Sequence, residues 1–408
     1  MKLLYLVEDR FPPYRADVVE LFARQMPGRG YEIDWIMQRG PEALELPART
    51  VWLGNPVHLT TRTHRKGLIG RLLNNLHGLY GDFSILPIAL RKRYDVIQVR
   101  DKFFASLCGL LAARLTGARF VYWMSYPFAE SKLDQVRHGY VAHPRLVWLK
   151  AQAIRLLLYK VILPLADHAF VQSQRMKEDV AAEGIPLEKM TPVPMGIRAE
   201  QVGHPEDARA PGTQRPLLLY LGILLRLRQT EMLVRVLEKV RLRYPGARLR
   251  YVGEGQQPSD RQAIEDEVAR LGLTDAVEVT GFLPMEAAWK HVQEADICFS
   301  PFYPIPVLLS TSPTKLIEYM AMAKCVVAND HPEQTQVMAD SGMGHTIPWD
   351  EQAFADAVCA LLDDPEKARI AAARGPDWVR QHRTYDVIAD LVDQKYRQLV
   401  PSELIKYG

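Results

Sequence analysis

The stretch Thr311–Asn329, TSPTKLIEYMAMAKCVVAN, decides how the rest of the chain is read. Ser312 is a helix-capping residue type, and Pro313 at a first helical position forfeits no hydrogen bond. A helix starting here is expected to leave the amides of Thr314 and Lys315 unpaired, and such an end attracts phosphate. Leu316, Ile317, Met320 and Ala321 recur at helical spacing as an apolar stripe. Glu318 then falls on the adjoining face, within reach of whatever the helix start holds, and is the candidate ribose ligand. The short β-branched run Cys325–Ala328 predicts a strand of a parallel sheet covered on both faces. An ordinary α/β helix with an exposed glutamate has the same local pattern, so the order of elements upstream has to decide.

That order begins with size. With 408 residues, 48% hydrophobic and 24% charged, the chain has the composition of a folded globular protein long enough for two cores. A formal net charge of +3, without basic clusters interleaved with aromatics, argues against nucleic acid as a partner. Cys108, Cys298, Cys325 and Cys359 sit singly in apolar segments without metal-ligand spacing. They read as reduced core residues of a cytoplasmic protein, and no metal site is expected. The apolar part of the opening MKLLYLVED is too short for a secretion signal and is expected to be the first strand. No run approaches about 18 apolar residues, so no transmembrane helix is expected.

In the N-terminal half, Lys2–Val7, Tyr31–Met37, Asp95–Val99 and Arg119–Met124 are continuous apolar runs expected to be strands of one parallel sheet. The turn after the first strand leads to a helix from about Ala16 to Met26, and Arg10 or Arg15 beside it is a candidate phosphate or acceptor ligand as well as an ordinary solvated arginine. Ligands of open α/β sheets bind outside the carboxyl ends of the strands. Arg100 and Asp101 after one strand, and Ser125, Tyr126 and Glu130 after the next, are therefore acceptor-side candidates, with Asp101 and Arg100 the catalytic ones. Between Leu68 and Tyr80 the apolar residues share one arc of roughly 140° at helical pitch, flanked by Arg65, Lys66 and Arg71. Val147–Leu163 is also apolar, with Lys150, Arg155 and Lys160 spread around it. Each helix can cover a sheet or lie on a bilayer surface.

In the C-terminal half, Pro216–Leu221 reads as a strand, followed by Gly222 and, on the same loop, Arg226 and Arg228. Arg248–Val252 runs into Gly253-Glu254-Gly255, Glu278–Thr280 into Gly281-Phe282-Leu283-Pro284, and Asp296–Pro301 is the strand before the opening stretch. Arg198–Arg215, rich in Pro, Gly, Asp and Gln without periodicity, reads as a linker, and Tyr385–Leu399 as a closing helix.

The words PTKLIEYMA and VVAN, with the glycine turns upstream, resemble the signature of the retaining glycosyltransferases of family 4, which share the two-domain GT-B fold. The resemblance spans nearly the whole chain and is tightest from about Pro216 to Asn329. It implies an α/β architecture of two Rossmann-like domains, 1–200 and 201–380, facing each other across a cleft, with a C-terminal segment 381–408 crossing back to the first. It further implies a nucleotide-diphosphate-sugar donor held by Gly222, Arg226, Arg228, Gly253, Phe282, Leu283, Ser310, Thr314, Lys315 and Glu318. In the family pattern a glycine, an arginine and a lysine grip the diphosphate; here Gly222 is kept, Ile223 stands at the arginine and Arg228 at the lysine, with Arg226 as a substitute cation.

Three departures qualify the resemblance. The first of the family's two motif glutamates, which holds donor-sugar hydroxyls, is Ser310; a histidine usual after the strand ending at Met124 is missing; and Arg15-Ala16-Asp17 stands where the first loop usually carries paired glycines. The expected activity is metal-independent transfer of a hexosyl or hexosaminyl group to a hydroxyl acceptor, lipid-linked or membrane-bound, at the cytoplasmic membrane face, in polysaccharide or glycolipid assembly. A sugar-nucleotide epimerase of the same fold and a nonenzymatic nucleotide-sugar-sensing subunit are the alternatives.

Overall fold

The computed structural model describes residues 1–61 and 67–401, and the chain divides into two compact units, Met1–Gly196 with Tyr385–Gly408, and Ile197–Thr384. The first unit is built on an eight-stranded sheet in the order β3-β4-β2-β1-β5-β6-β7-β8. Its strands are β1 (Lys2–Phe11), β2 (Glu32–Arg39), β3 (Arg49–Trp52), β4 (Asn55–Thr60), β5 (Val96–Arg100), β6 (Arg119–Met124), β7 (His168–Val171) and β8 (Met190–Pro192). All neighbours run parallel except β3 and β4. That antiparallel pair turns through Leu53 and Gly54, both at positive φ, the geometry of a two-residue hairpin. It is a feature the sequence reading did not name.

Leu3 to Val7 of β1 are all buried, as a central parallel strand covered on both faces requires. One face packs Leu4, Leu6, Ile97 and Val99 against the Phe103–Thr116 helix. The other packs Tyr5, Trp35, Phe22 and Phe170, with Tyr5 and Trp35 stacked at 5.0 Å. The Asp17–Gln25 helix on this side is a wider, underwound π-helix, Met26 N–H reaching back five residues to the Leu21 carbonyl at 3.2 Å. The closing helix Tyr385–Leu399 joins the same core through Ile388, Ala389, Val392 and Tyr396, and Arg29 ties it down through Asp390 at 2.7 Å.

The second unit has a five-stranded parallel sheet in the order β11-β10-β9-β12-β13. Its strands are β9 (Leu217–Leu221), β10 (Arg248–Val252), β11 (Val277–Val279), β12 (Ile297–Ser300) and β13 (Cys325–Ala328). The expected linker Arg198–Arg215 lies on this unit instead of hanging free. Val202 and Ala208 are buried, Gly203 N–H donates to the Ala321 carbonyl at 2.9 Å and Arg380 donates to the Gly203 carbonyl at 2.8 Å. Its isolated small apolar residues are what anchor it.

In each sheet the chain reverses its direction of winding beside the first strand, between β1 and β5 in one unit and between β9 and β12 in the other. Such reversals leave a crevice at the carboxyl ends, where ligands of open α/β sheets bind.

Candidate functional site

In the second unit the crevice beside β9 collects most of the expected donor residues. Gly222 follows β9 at φ 140° and Gly253 follows β10 at φ 152°, a region that favours glycine. The two backbones nearly touch: a Cβ on Gly253 would lie 2.0 Å from the Gly222 carbonyl oxygen. Gly281 continues the rim through a bridge to Gly253. Phe282, 82% exposed, stands beyond it, while Leu283 packs on the core below.

The opposite wall is the Thr314–Ala321 helix. Leu316, Ile317, Tyr319, Met320 and Ala321 are buried, as the apolar stripe predicts, and the Tyr319 hydroxyl takes the Leu221 N–H of β9 at 2.9 Å. Lys315 and Glu318 are half-buried on the crevice side. The Lys315 ammonium sits 5.2 Å from the centre of the Tyr220 ring and 6.0 Å from that of Phe302. It lies under Gly222, where a Cβ would come within 3.0 Å of Nζ.

The capping expectation is corrected. Pro313, not Ser312, occupies the cap position, with no side-chain cap, and Thr314 N–H turns back to the Ser312 carbonyl at 3.0 Å. The Ser312 hydroxyl instead donates to Glu333 at 2.7 Å, and Glu333 is paired with Arg383 at 2.7 Å. Ser310 is buried at the end of the Pro306–Leu309 turn.

The electrostatics single out this crevice. Burial pushes Glu318 up to about 7, against the pull of Lys315. Burial likewise lowers Lys315, against the phenol of Tyr220 and Glu318. Tyr220 is the reverse case: burial would raise it, but Lys315 and Arg228 outweigh burial and bring it below its ordinary value. Among the described residues neither Lys315 nor Arg228 has a carboxylate within ion-pair distance. Two cations without an ion-paired carboxylate among the described residues, beside a helix start and two glycine turns, have the chemistry to hold an anion with several oxygens.

Arg226 does not join them, and the expectation that it substitutes for the missing cation is corrected. Its amide binds Asp260 at 3.2 Å and its side chain lines a separate surface hollow of about 330 Å³ with Glu231, Asp266 and Arg270. Arg226–Arg228 is a tight turn with about three residues per turn, so positions two apart point to different sides. Tyr220 and Phe302, which the sequence reading passed over, are what the site adds. Alternation along β9 placed Tyr220 two residues before Gly222, and that spacing was the available signal.

In the first unit the equivalent crevice is filled. Arg100 ends β5 with 2% of its side chain exposed, and binds Asp17 at 3.0 Å, Asp101 at 3.3 Å and Asp9 at 3.5 Å. Arg15 adds a second cation to Asp9 at 3.0 Å. Asp101, at φ 54°, accepts the Ser125 N–H at 3.0 Å and the Ser125 hydroxyl. Burial pushes Asp101 up to about 6 in spite of Arg100.

The expectation that Arg100, Asp101 and Ser125 offer free groups to an acceptor is therefore corrected: each is buried and spent on the others. Glu130 accepts from Tyr159 at 3.0 Å and Tyr126 donates to Ser131 at 3.1 Å. Beside the cluster a cavity of about 380 Å³ opens between Glu8, Arg10, Tyr14, Arg15 and Glu42, so Arg15 keeps an open face, and Tyr126 and Glu130 are partly exposed as well.

Comparison with known proteins bears on these two units. A family model described as "Glycosyltransferase Family 4" matches residues 16–201, and one described as "Glycosyl transferases group 1" matches residues 215–364. The chain belongs to the family 4 glycosyltransferases. This family member is 26% identical over 223 residues to a GDP-mannose-dependent alpha-(1-6)-phosphatidylinositol monomannoside mannosyltransferase of Mycolicibacterium smegmatis, a match spanning 52% of the chain and 57% of that protein. It is 28% identical over 219 residues to a D-inositol 3-phosphate glycosyltransferase of Nocardia farcinica, spanning 50% of the chain and 46% of that protein. The chain thus matches about half the length of each of these relatives. Among solved structures it resembles the sucrose-phosphate synthase of Thermosynechococcus elongatus, with a TM-score of 0.72 at 19% identity over 98% of this chain and 100% of that one. The fold is GT-B, two Rossmann-like α/β domains.

Proposed function

We propose that this family 4 chain transfers a hexosyl or hexosaminyl group, with retention and without a metal, from a nucleotide-diphosphate sugar to a hydroxyl of a lipid-linked or membrane-bound acceptor. The observation that carries the reading is the pair of unpaired cations, Lys315 and Arg228, beside the Thr314–Ala321 helix and the Gly222 turn. A diphosphate supplies the several oxygens that such a site lacks. As the sugar departs, negative charge grows on the phosphate, and fixed cations aimed there lower the barrier. Glu318 holds the ribose hydroxyls, and the departing phosphate serves as base for the incoming hydroxyl, so no carboxylate nucleophile is required.

The membrane-bound acceptor draws on a different surface. Among the described residues no helix is long and apolar enough to cross a membrane. Yet the Pro144–Leu157 helix buries only Ala151, and Leu146 (67%), Trp148 (49%), Leu149 (61%) and Leu156 (64%) are exposed beside exposed Arg145 and Lys150. Leu76, Leu79, Tyr80 and Phe83 on the Gly67–Phe83 helix are exposed too. Arg65, Lys66 and the side chains of Leu68, Ile69, Arg71 and Leu72, expected to contribute, lie outside the described residues. Arg155 and Lys160 are tied to Glu183, so they add less to this face than their positions in the sequence suggested. Aromatic and aliphatic side chains rimmed by cations suit an anionic bilayer surface of the kind found at the cytoplasmic face.

One experiment tests both parts. A screen of nucleotide sugars in excess chelator, with membrane extract as acceptor and release of nucleotide diphosphate as readout, is expected to single out one donor whose turnover requires the extract. Release without any acceptor dependence would favour the epimerase, and no release with any donor would favour a silent binding subunit. Flotation with anionic liposomes is expected to carry the protein upward at low salt and to fail after Leu149→Ser and Trp148→Ser.

A further inference from the structure

Tyr220 lies where a bound anion would be expected between the two cations. Its ring is buried in the core beside Tyr251, whose ring centre is 6.0 Å away. Its hydroxyl reaches the carboxyl end of β9 and donates to the Ile223 carbonyl at 3.3 Å. The absent side chain of Gly222 opens the space in which Lys315 meets it: a Cβ there would be 3.0 Å from the Lys315 ammonium and 3.6 Å from the Tyr220 hydroxyl. Lys315 and Arg228 both act on that phenol, and no carboxylate among the described residues pairs with either cation. The other ionisable groups facing the cluster are Glu318 and Tyr319 from the same helix as Lys315, and Tyr251 from β10. Tyr319 and Tyr251 are already spent on the Leu221 N–H and the Thr230 carbonyl.

Resting on the diphosphate reading above, we propose that Tyr220 is a positioning residue whose phenol oxygen stands in for a diphosphate oxygen in the empty site and keeps Lys315 and Arg228 convergent. A tyrosine hydroxyl has one proton to donate and two lone pairs to accept with. Ile223 takes the proton, and the lone pairs are left to face the cations. Two positive side chains with no carboxylate between them would otherwise move apart into solvent, and each would have to be gathered again when the nucleotide arrives. Holding them in place removes that ordering cost from binding. The phenol is a weak enough partner to yield its place to a diphosphate, which a carboxylate would not be. That contrast explains why an aromatic hydroxyl, and no acid, occupies the middle of the site.

The role predicts a selective defect. Tyr220→Phe removes one oxygen and keeps the ring in the core, so melting temperature and circular dichroism should match the parent. Affinity is measured by calorimetry for a nucleoside diphosphate, UDP or GDP, and for the matching monophosphate, on the full-length chain. The expected result is a loss of about 5- to 10-fold for the diphosphate with less than 2-fold for the monophosphate, so that the ratio of the two dissociation constants collapses. Lys315→Met should produce the same selective loss, and the double variant should be little worse than the worse single one. Tyr251→Phe, equally buried on the neighbouring strand, should leave the ratio unchanged and separates core damage from the proposed effect.

Equal losses for both nucleotides, or an unchanged ratio in Tyr220→Phe, would overturn the proposal while leaving the diphosphate site intact. Strictly additive losses in the double variant would overturn it as well. If the parent protein binds no nucleoside diphosphate, the reading of the site and this proposal fall together.

Discussion

The two crevices beside β1 and β9 occupy the same place in similar sheets and hold their charges in opposite ways. In the first unit Arg100 is surrounded by Asp9, Asp17 and Asp101, and the charges answer one another. In the second, Lys315 and Arg228 converge on a tyrosine, and among the described residues no carboxylate lies within ion-pair distance of either, Glu318 acting on Lys315 only from further off. Charge that is satisfied internally holds a fold together and has nothing left for a ligand. Charge gathered and left unpaired at a half-buried site contributes nothing to the apo fold and is there to be completed. Position in the fold made both crevices candidates; only the partner list separates them.

The largest effect expected from this contrast is on stability. Arg100→Leu leaves Asp17 and Asp101 buried without their cation, and Asp9 with Arg15 alone, and should cost about 3 to 5 kcal/mol in chemical denaturation, enough to threaten folding. Lys315→Met, by contrast, should leave the unfolding midpoint unchanged or slightly raised. A mild Arg100→Leu phenotype with normal folding would break the comparison at its first term.

Next in size is turnover. Arg228→Ala is expected to lower it about 100-fold, on the scale of removing one group that stabilises transition-state charge, with a smaller change in KM. Arg226→Ala should change it less than 2-fold, because that side chain lies in another hollow. If the two variants behaved alike, the separation of the two arginines would be wrong.

Glu318→Ala should weaken binding of the nucleotide by about 1.5 to 3 kcal/mol, the worth of hydrogen bonds to a charged group. The same residue gives the smallest effect, on pH. Its folded value of about 7 lies above the ordinary 4.5, so the empty protein holds an extra proton between those values and loses stability as pH rises through them. Ribose hydroxyls donate to the ionised form. Nucleotide affinity should therefore rise with pH up to about 7, by less than a factor of 10 per unit, and release a proton in calorimetry at pH 6. Glu318→Gln should flatten the profile.

How much of this could be read in the sequence follows from how local each feature is. Gly222, Arg228, Lys315 and Glu318 were legible because each belongs to a strand-turn-helix word whose local geometry places it at the carboxyl end of the sheet. The strands β10 and β13 and the closing helix fell within the runs expected for them, since buried parallel strands and amphipathic helices carry their own patterns. Arg226 was misplaced because spacing in a chain does not reveal the twist of a tight turn. Arg100 and Asp101 were correctly placed at a strand end, but their partners Asp9 and Asp17 come from another strand and helix, and no local pattern announces that meeting. Tyr220 looked like one more core aromatic. Its role arises only when Lys315 arrives from a helix 95 positions further on.

The most direct test is calorimetric titration of UDP and GDP, in excess chelator, into the parent protein and into the Lys315→Met/Arg228→Met variant. Binding of one nucleotide by the parent, and its loss in a variant that melts at the same temperature, is the predicted result. Unchanged affinity in that variant would contradict the assignment of the β9 crevice as the diphosphate site.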